Sequence, residues 1–360
     1  MFKRETSKVG PLKKTIETAK EEFTKIFDNS HLFGNPSRTA SITTALLCLI
    51  FGSLALYWDT EPDLFDVRKT AIQQLNDLAT AEVNGSTTVA TTITMAEILL
   101  LKRGGYLYND VILPSVLMDN IPNWEFGVLV QLRDMARTLR NNLSRSQSQS
   151  TEDSDLIRAE GQFYFDNNSW LLPETESEYA KGIDSLKKYL IRLGSQKQQN
   201  AQFYARADNL RTWLSEVETR LGSLSQRLSA SVGKRQLDTS LAGDTAATQS
   251  TISSSEQEVK TPWAKLDDVF YEARGTTWAL LHLLRAVEID FNDVLQKKNA
   301  LISLQQIIRE LEPTQDKIWS PFILNGNGFG ALANHSLVMG SHISRANAAI
   351  IDLRRLLEDG

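Results

Sequence analysis

A single cysteine in 360 residues, Cys48, rules out a disulfide framework within the chain. It lies inside an apolar run and reads as a packing residue, so no Cys-His nucleophile pair can be built on it. No serine stands in a nucleophile motif either, and the whole chain has only four histidines. Positive charge is also short: 39 Lys and Arg against 44 Asp and Glu leave a net charge of -5 and a pI ≈ 5.6. Phosphate binding needs a clustered positive face, so nucleic acid is excluded as a partner. Sustained period-two alternation is missing as well. That absence leaves an all-α body.

What the sequence does have is one long uncharged run, Thr39 to Trp58, TASITTALLCLIFGSLALYW. As a helix it is ~30 Å long, about the thickness of a bilayer's hydrocarbon core. It reads as a single N-terminal transmembrane helix, and an uncharged run of this length is rare in a soluble core. Residues 1–38 ahead of it carry a net charge of +3 and the remainder -8. Beyond the run come Asp59, Glu61, Asp63 and Asp66 before any Lys or Arg. The positive-inside rule then sets residues 1–38 in the cytoplasm and the body in the periplasm, with Tyr57 and Trp58 as interfacial anchors. Ser53-Leu54-Ala55 resembles a signal cleavage site, but the 38 residues before the run are too many for an ordinary n-region. The address expected is therefore the bacterial inner membrane, single pass.

Within the basic arm, Leu12, Ile16, Phe23 and Phe27 share a helical face ringed by lysines. That pattern suits a helix on an anionic leaflet or against a partner, and equally a partly helical solvated tail. After the span, residues 59–172 read as a helical subdomain. Thr60 and Asp63 would cap its first helix, and 104–125, GGYLYNDVILPSVLMDNIPNWE, form an ordered loop whose apolar residues fold back onto the core. Asn123 would cap the next helix, with Val128, Leu132, Met135, Leu139 and Leu143 on one face. Thr175 and Glu178 form a capping box opening a continuous helix to about Ser231. Its seam runs from Leu186 through Gln196 and Asn200 to Leu228. Residues 232–261 are small and polar and read as disordered. Thr261-Pro262 reopens a helix with a second seam, Leu266 to Phe291. The segments 173–231 and 262–312 thus suggest a long antiparallel coiled-coil-like hairpin, or alternatively two seams that each pair with another chain. Residues 313–360 form a C-terminal loop and helix.

Few features could carry chemistry. Gly326, Gly328 and Gly330 lack the preceding strand and GxGxxG frame of a phosphate loop. His335 and His342 are seven apart without a carboxylate companion, and His282 beside the seam reads as a packed core histidine. No catalytic, cofactor or metal residue is therefore expected. The best candidate interaction surface is Tyr106, Asn109, Asp110, Asp119, Asn120, Trp124, Glu125 and Phe329. Carboxylates beside aromatics there would also suit acid–base work on sugars.

The motifs GGYLYND (104–110), LMDNIPNWEFG (117–127), VQLRDMAR (130–137) and GNGFGALANHS (326–336) resemble those of a proteobacterial family of single-span inner-membrane proteins, a domain of unknown function. The resemblance runs from the span to the C-terminus, excluding the polar loop. It implies a Gram-negative envelope address and no particular activity. The expected function is a membrane-anchored, non-enzymatic envelope scaffold or partner-docking factor, working with an envelope protein or by self-association. The alternative is an enzyme or binding protein for a cell-wall or lipid component, with a pocket near residues 104–125.

Overall fold

The computed structural model describes residues 36–146, 151–195, 200–236, 257–320, 322–327 and 331–358. The chain divides into two units, residues 1–57 and 58–360. Residues 1–35 of the arm, Gln196, Gly328, Phe329, Gly330 and most of the polar loop lie outside the described residues.

The described part of the first unit is α1 (Pro36–Trp58), whose last residue opens the second unit. Its 22 residues from Ser37 to Trp58 are long and apolar enough to cross a membrane, and none is buried. Two of its hydroxyls are satisfied internally: Ser41 and Thr43 donate to the carbonyls of Ser37 and Thr39. Hydrocarbon offers no other partner, so this self-sufficiency is what a span requires.

Among its described residues the second unit is built of helices and loops, with one three-residue antiparallel pairing, Lys234–Gln236 with Gln257–Val259, at the two ends of the segment expected to be disordered, and a single bridge between Asn325 and Asn334. It opens differently from expectation. Residues 59–66 run as a non-helical strap, and α2 (Val67–Asp77) starts behind an Asp66 cap that accepts the Lys69 N–H. The strap is held on α8 (Leu266–Asp290). Glu61 pairs with the buried Arg274, the Phe65 N–H donates to His282 Nε2, and the Trp278 indole reaches the Asp63 carbonyl. Those tertiary bonds outweigh a local cap.

His282 is the core histidine anticipated. Accepting at Nε2 from Phe65 requires the Nδ1–H tautomer, which donates to the Trp278 carbonyl at 2.7 Å, and Phe65 stacks on the ring. Burial pushes its pKa down to about 3. The unfolded chain protonates near 6.5, so this group's stabilisation is complete above that pH and is lost as pH falls towards 3. Replacing it, His282→Gln, is expected to cost stability at pH 7.5. The gap to the natural chain should narrow by up to ~1.4 kcal/mol per pH unit below 6.5 in denaturant melts. A gap constant from pH 7.5 to 4.5 would contradict the buried neutral ring.

α3 (Ser86–Leu101) is buried over most of its length. Its N-terminus is closed by the Asp290 carboxylate, which accepts both the N–H and the hydroxyl of Thr88. Burial on several sides overrides the weak helix propensity of threonine. α4 (Asn120–Thr138) starts before Asn123 and runs into a π-turn, Leu139–Leu143. Its Val128, Leu132, Met135, Leu139 and Leu143 face is buried as expected. α5 (Ser154–Phe163) packs on α6 (Thr175–Leu193). The Thr175 hydroxyl turns to the carbonyls of Asp166 and Ser169 rather than completing a capping box.

The expected continuous helix from 175 to 231 is interrupted. α6 stops at Gly194, where a Cβ would come within 2.4 Å of the Thr80 hydroxyl, and residues 200–206 are non-helical. Tyr189 donates to the Gln202 carbonyl and the Tyr204 N–H to that of Leu143, fixing that stretch. α7 (Ala207–Ser229) then pairs chiefly with α11 (His335–Glu358), whereas α8 pairs chiefly with α4. The two seams bury their apolar residues against different helices, so the hairpin is not formed between them. The second half also divides, into α8, α9 (Asn292–Lys297) and α10 (Leu301–Leu311). A seam repeat specifies an apolar stripe, and any complementary helix can cover it.

Candidate functional site

Segment 104–125 is ordered from beneath. Gly104 and Gly105 both have positive φ, turning the chain back after α3. Lys102 and Glu125 meet as an ion pair almost wholly out of water. The Lys102 ammonium also donates to the Gly105 carbonyl at 2.6 Å, while Glu125 accepts the backbone N–H groups of Leu107 and Tyr108. Burial raises the Glu125 carboxyl to about 7, opposed by Lys102 and by those N–H groups. One carboxylate thus organises the start of the loop on α4.

The other conspicuous residues are also foundations. Tyr106 is buried, donates to the Asn167 carbonyl and packs edge-on to Tyr179. The Asn109 amide is buried and donates to the Ser169 carbonyl and to Glu176, both at 2.8 Å. Trp124 is fully buried, edge-on to Trp278 at 5.1 Å. Four of the eight candidates, Tyr106, Asn109, Trp124 and Glu125, therefore cannot form a surface. Asp110 and Asp119 line a cleft of about 470 Å³ with Tyr108 and Asn168, and Glu125 is not part of it. Asn120 reaches Asp59 at 3.5 Å. Phe329 lies outside the described residues. The three carboxylates that would have served acid–base chemistry are not gathered at one point.

Nor does the glycine-rich tail join them. Gly326 and Asn325 are bonded to Ala333, Asn334 and Ser231, and a Cβ on Gly326 would lie 1.9 Å from the Leu332 carbonyl. His335 accepts the Leu324 N–H and His342 meets Arg345, so each imidazole has a protein partner. Asp119, Asp267 and Asp268 bring their carboxylates within 4.8 Å of one another at the surface, and burial raises the Asp268 pKa.

What sequence reasoning missed is what the loop displays. Val111, Ile112, Leu113, Val116 and Leu117 are exposed, against the expectation that apolar loop residues fold inward. Trp170, Leu171 and Leu172 are exposed on the neighbouring loop, Leu172 at 87 %. The bonds from Tyr106 and Asn109 to Asn167 and Ser169 stitch the bases of the two loops together. The available signal was the run VILPSVL itself, bounded by turn residues and lacking helical spacing. Eight large apolar side chains are thus exposed on two loops whose bases are bonded together; Asp110 and Asp119 share a cleft with Val116, and Asp267 and Asp268 lie beside Asp119.

Among known families, the profile described as "Uncharacterized protein conserved in bacteria (DUF2333)" matches residues 34–360. No curated protein and no solved structure matches the chain.

Proposed function

The chain belongs to this bacterial family, and we infer that it acts as a membrane-anchored docking protein rather than as a catalyst. The observation that carries the reading is the braced apolar surface of loops 111–117 and 170–172. Exposed apolar patches of this kind on a folded body mark interaction sites. Its acidic rim selects the partner: an envelope protein face with an apolar centre and flanking Lys or Arg, so that charge steers the approach. The topology that suits this role puts the basic arm in the cytoplasm, α1 across the inner membrane and the body in the periplasm. A wall- or lipid-directed enzyme at 104–125 draws no support from Glu125, whose oxygens are committed to Lys102 and the backbone.

Photo-cross-linking in cells tests this, with probes at Ile112, Leu117 and Leu171 and a buried control at Asn109. A discrete adduct to another protein, mapped to a segment bearing Lys or Arg, is expected from the three exposed positions only. Asp119→Lys with Asp268→Lys should weaken it several-fold. Adducts confined to a second copy of this chain would make the surface a self-association face. Equal labelling from Asn109, or an adduct indifferent to the charge reversal, would sink the reading.

A further inference from the structure

Two clefts flank the strap that follows α1, and Thr60, Glu61, Pro62 and Asp63 line both. The first, about 410 Å³, is completed on one side by the end of α3 with Leu101, Lys102 and Arg103. The second, about 470 Å³, is completed by Arg274, Lys317 and Ile318. The outer edge of each carries the same pairing of an exposed cation with a large exposed apolar side chain. On one edge these are Arg103 and Leu101, the latter 79 % exposed. On the other, Lys317 lines the cleft, and Trp319, 89 % exposed, lies two residues further along the chain, with Phe322 beyond it.

Position follows from chain length alone. Thr60 is two residues past Trp58, the last residue of α1, and two residues span at most ~7 Å. Wherever α1 crosses a bilayer, Trp58 ends at its boundary, so side chains that share a cleft with Thr60 lie within reach of the headgroup layer. Tryptophan favours that layer, and Arg and Lys there meet lipid phosphates. The acidic residues of the strap do not oppose this uniformly: Glu61 is committed to Arg274, and burial raises the Asp59 carboxyl. The two edges lie on either side of the strap, and beyond the strap residues they have no lining residue in common. Individual lipids can fill such split edges, whereas a protein face needs contiguous surface.

We propose that these edges form a collar by which the body rests on the bilayer, with Leu101, Trp319 and Phe322 among the headgroups and Arg103 and Lys317 on the phosphates of anionic phospholipids. The proposal depends on the reading of α1 as a span. Once α1 is inserted, each contact is effectively intramolecular, so individually weak contacts suffice.

The test uses the full chain with Cys48→Ser and single cysteines placed at Leu49, Leu101, Trp319 or Ile302. Each is labelled with an environment-sensitive fluorophore, in nanodiscs of phosphatidylcholine with or without phosphatidylglycerol, with headgroup-proximal doxyl lipid for the body positions and mid-chain doxyl lipid for Leu49, which lies ~13 Å from the end of α1. Ile302 on α10 is a control of similar exposure, 73 %. Quenching at the Leu101 and Trp319 positions should be at least twofold stronger than at Ile302. It should fall without phosphatidylglycerol, and fall again with Arg103→Glu plus Lys317→Glu. Quenching at Leu49 alone would overturn the collar and leave the span standing. No quenching anywhere, Leu49 included, would overturn the span and the collar with it. Quenching indifferent to phosphatidylglycerol would overturn the phosphate contacts, even if the charge-reversed chain fails to fold.

Discussion

Valine in place of Gly275 is expected to unfold the body. At the crossing of α4 and α8, a Cβ on Gly275 would lie 1.9 Å from the Trp124 carbonyl oxygen. On the opposite helix, a Cβ on Gly127 would lie 2.2 Å from the Glu272 carbonyl oxygen. Both obstacles are backbone, which cannot swing aside, so the two axes would have to separate. Separation would pull Trp124 from Trp278 and the Thr276 hydroxyl from the Gly127 carbonyl. α8 is buried almost throughout and also packs on α3 and α10, so the damage spreads. A loss of roughly 4 kcal/mol or more follows, in the rare tail of single substitutions. Gly127→Val should behave alike. Gly161→Ala is the matched control: no atom lies within 4 Å of its Cβ position in α5, so it should be neutral or gain about 0.5–1 kcal/mol. Circular dichroism melts in detergent read all three, and a Gly275→Val midpoint within two degrees of the natural chain, roughly 1 kcal/mol at most, would disprove the close crossing.

Lys102→Met is expected to cost about 3–5 kcal/mol at pH 8, because it leaves a buried carboxylate without its counter-ion. The cost should depend on pH in a defined direction. The folded-state pKa of Glu125, about 7, stands above the 4.5 of an ordinary glutamate. Between these values the folded state binds more protons than the unfolded one. The favourable contribution of protonation is therefore complete below 4.5 and lost as pH rises through 7. Without Lys102 that pKa rises further, since the charge that lowered it is gone. The deficit of Lys102→Met should accordingly shrink between pH 8 and pH 5, where Glu125 takes up a proton and keeps its place as a neutral acid. Urea melts at the two pH values measure this. A deficit equal at both would show that Glu125 is not the group left uncompensated. Partial proteolysis adds a local readout, because Leu107 and Tyr108 lose their anchor and the 104–119 loop should be cut first.

The candidate site shows why conspicuous residues mislead. Tyr106, Asn109, Trp124 and Glu125 stand out as polar or aromatic residues in a loop, which is the profile of a surface. In the fold they are consumed by Asn167, Ser169, Trp278 and Lys102, partners up to 154 residues distant along the chain, which no local pattern encodes. The residues left outside are plain aliphatics that a hydropathy argument assigns to the core. A loop buries what its bracing bonds pull inward, and Val111 to Leu117 lie beyond the last of those bonds.

Sequence alone determined what depends on composition and local period. An uncharged run of bilayer length identified α1, whose fitness to span rests on length and polarity rather than on any contact. Helical spacing without period-two alternation determined an all-α body, and the buried face of α4 follows its stripe. Tertiary structure decided everything that depends on which stripe meets which. It broke the helix at Gly194, gave α7 to α11 and α8 to α4, and held residues 59–66 out of a helix through Arg274 and His282. The reason is physical: an apolar stripe lowers its free energy against any complementary face. The choice among faces is made by backbone clearance at a few glycines and by buried polar groups that accept only one set of partners.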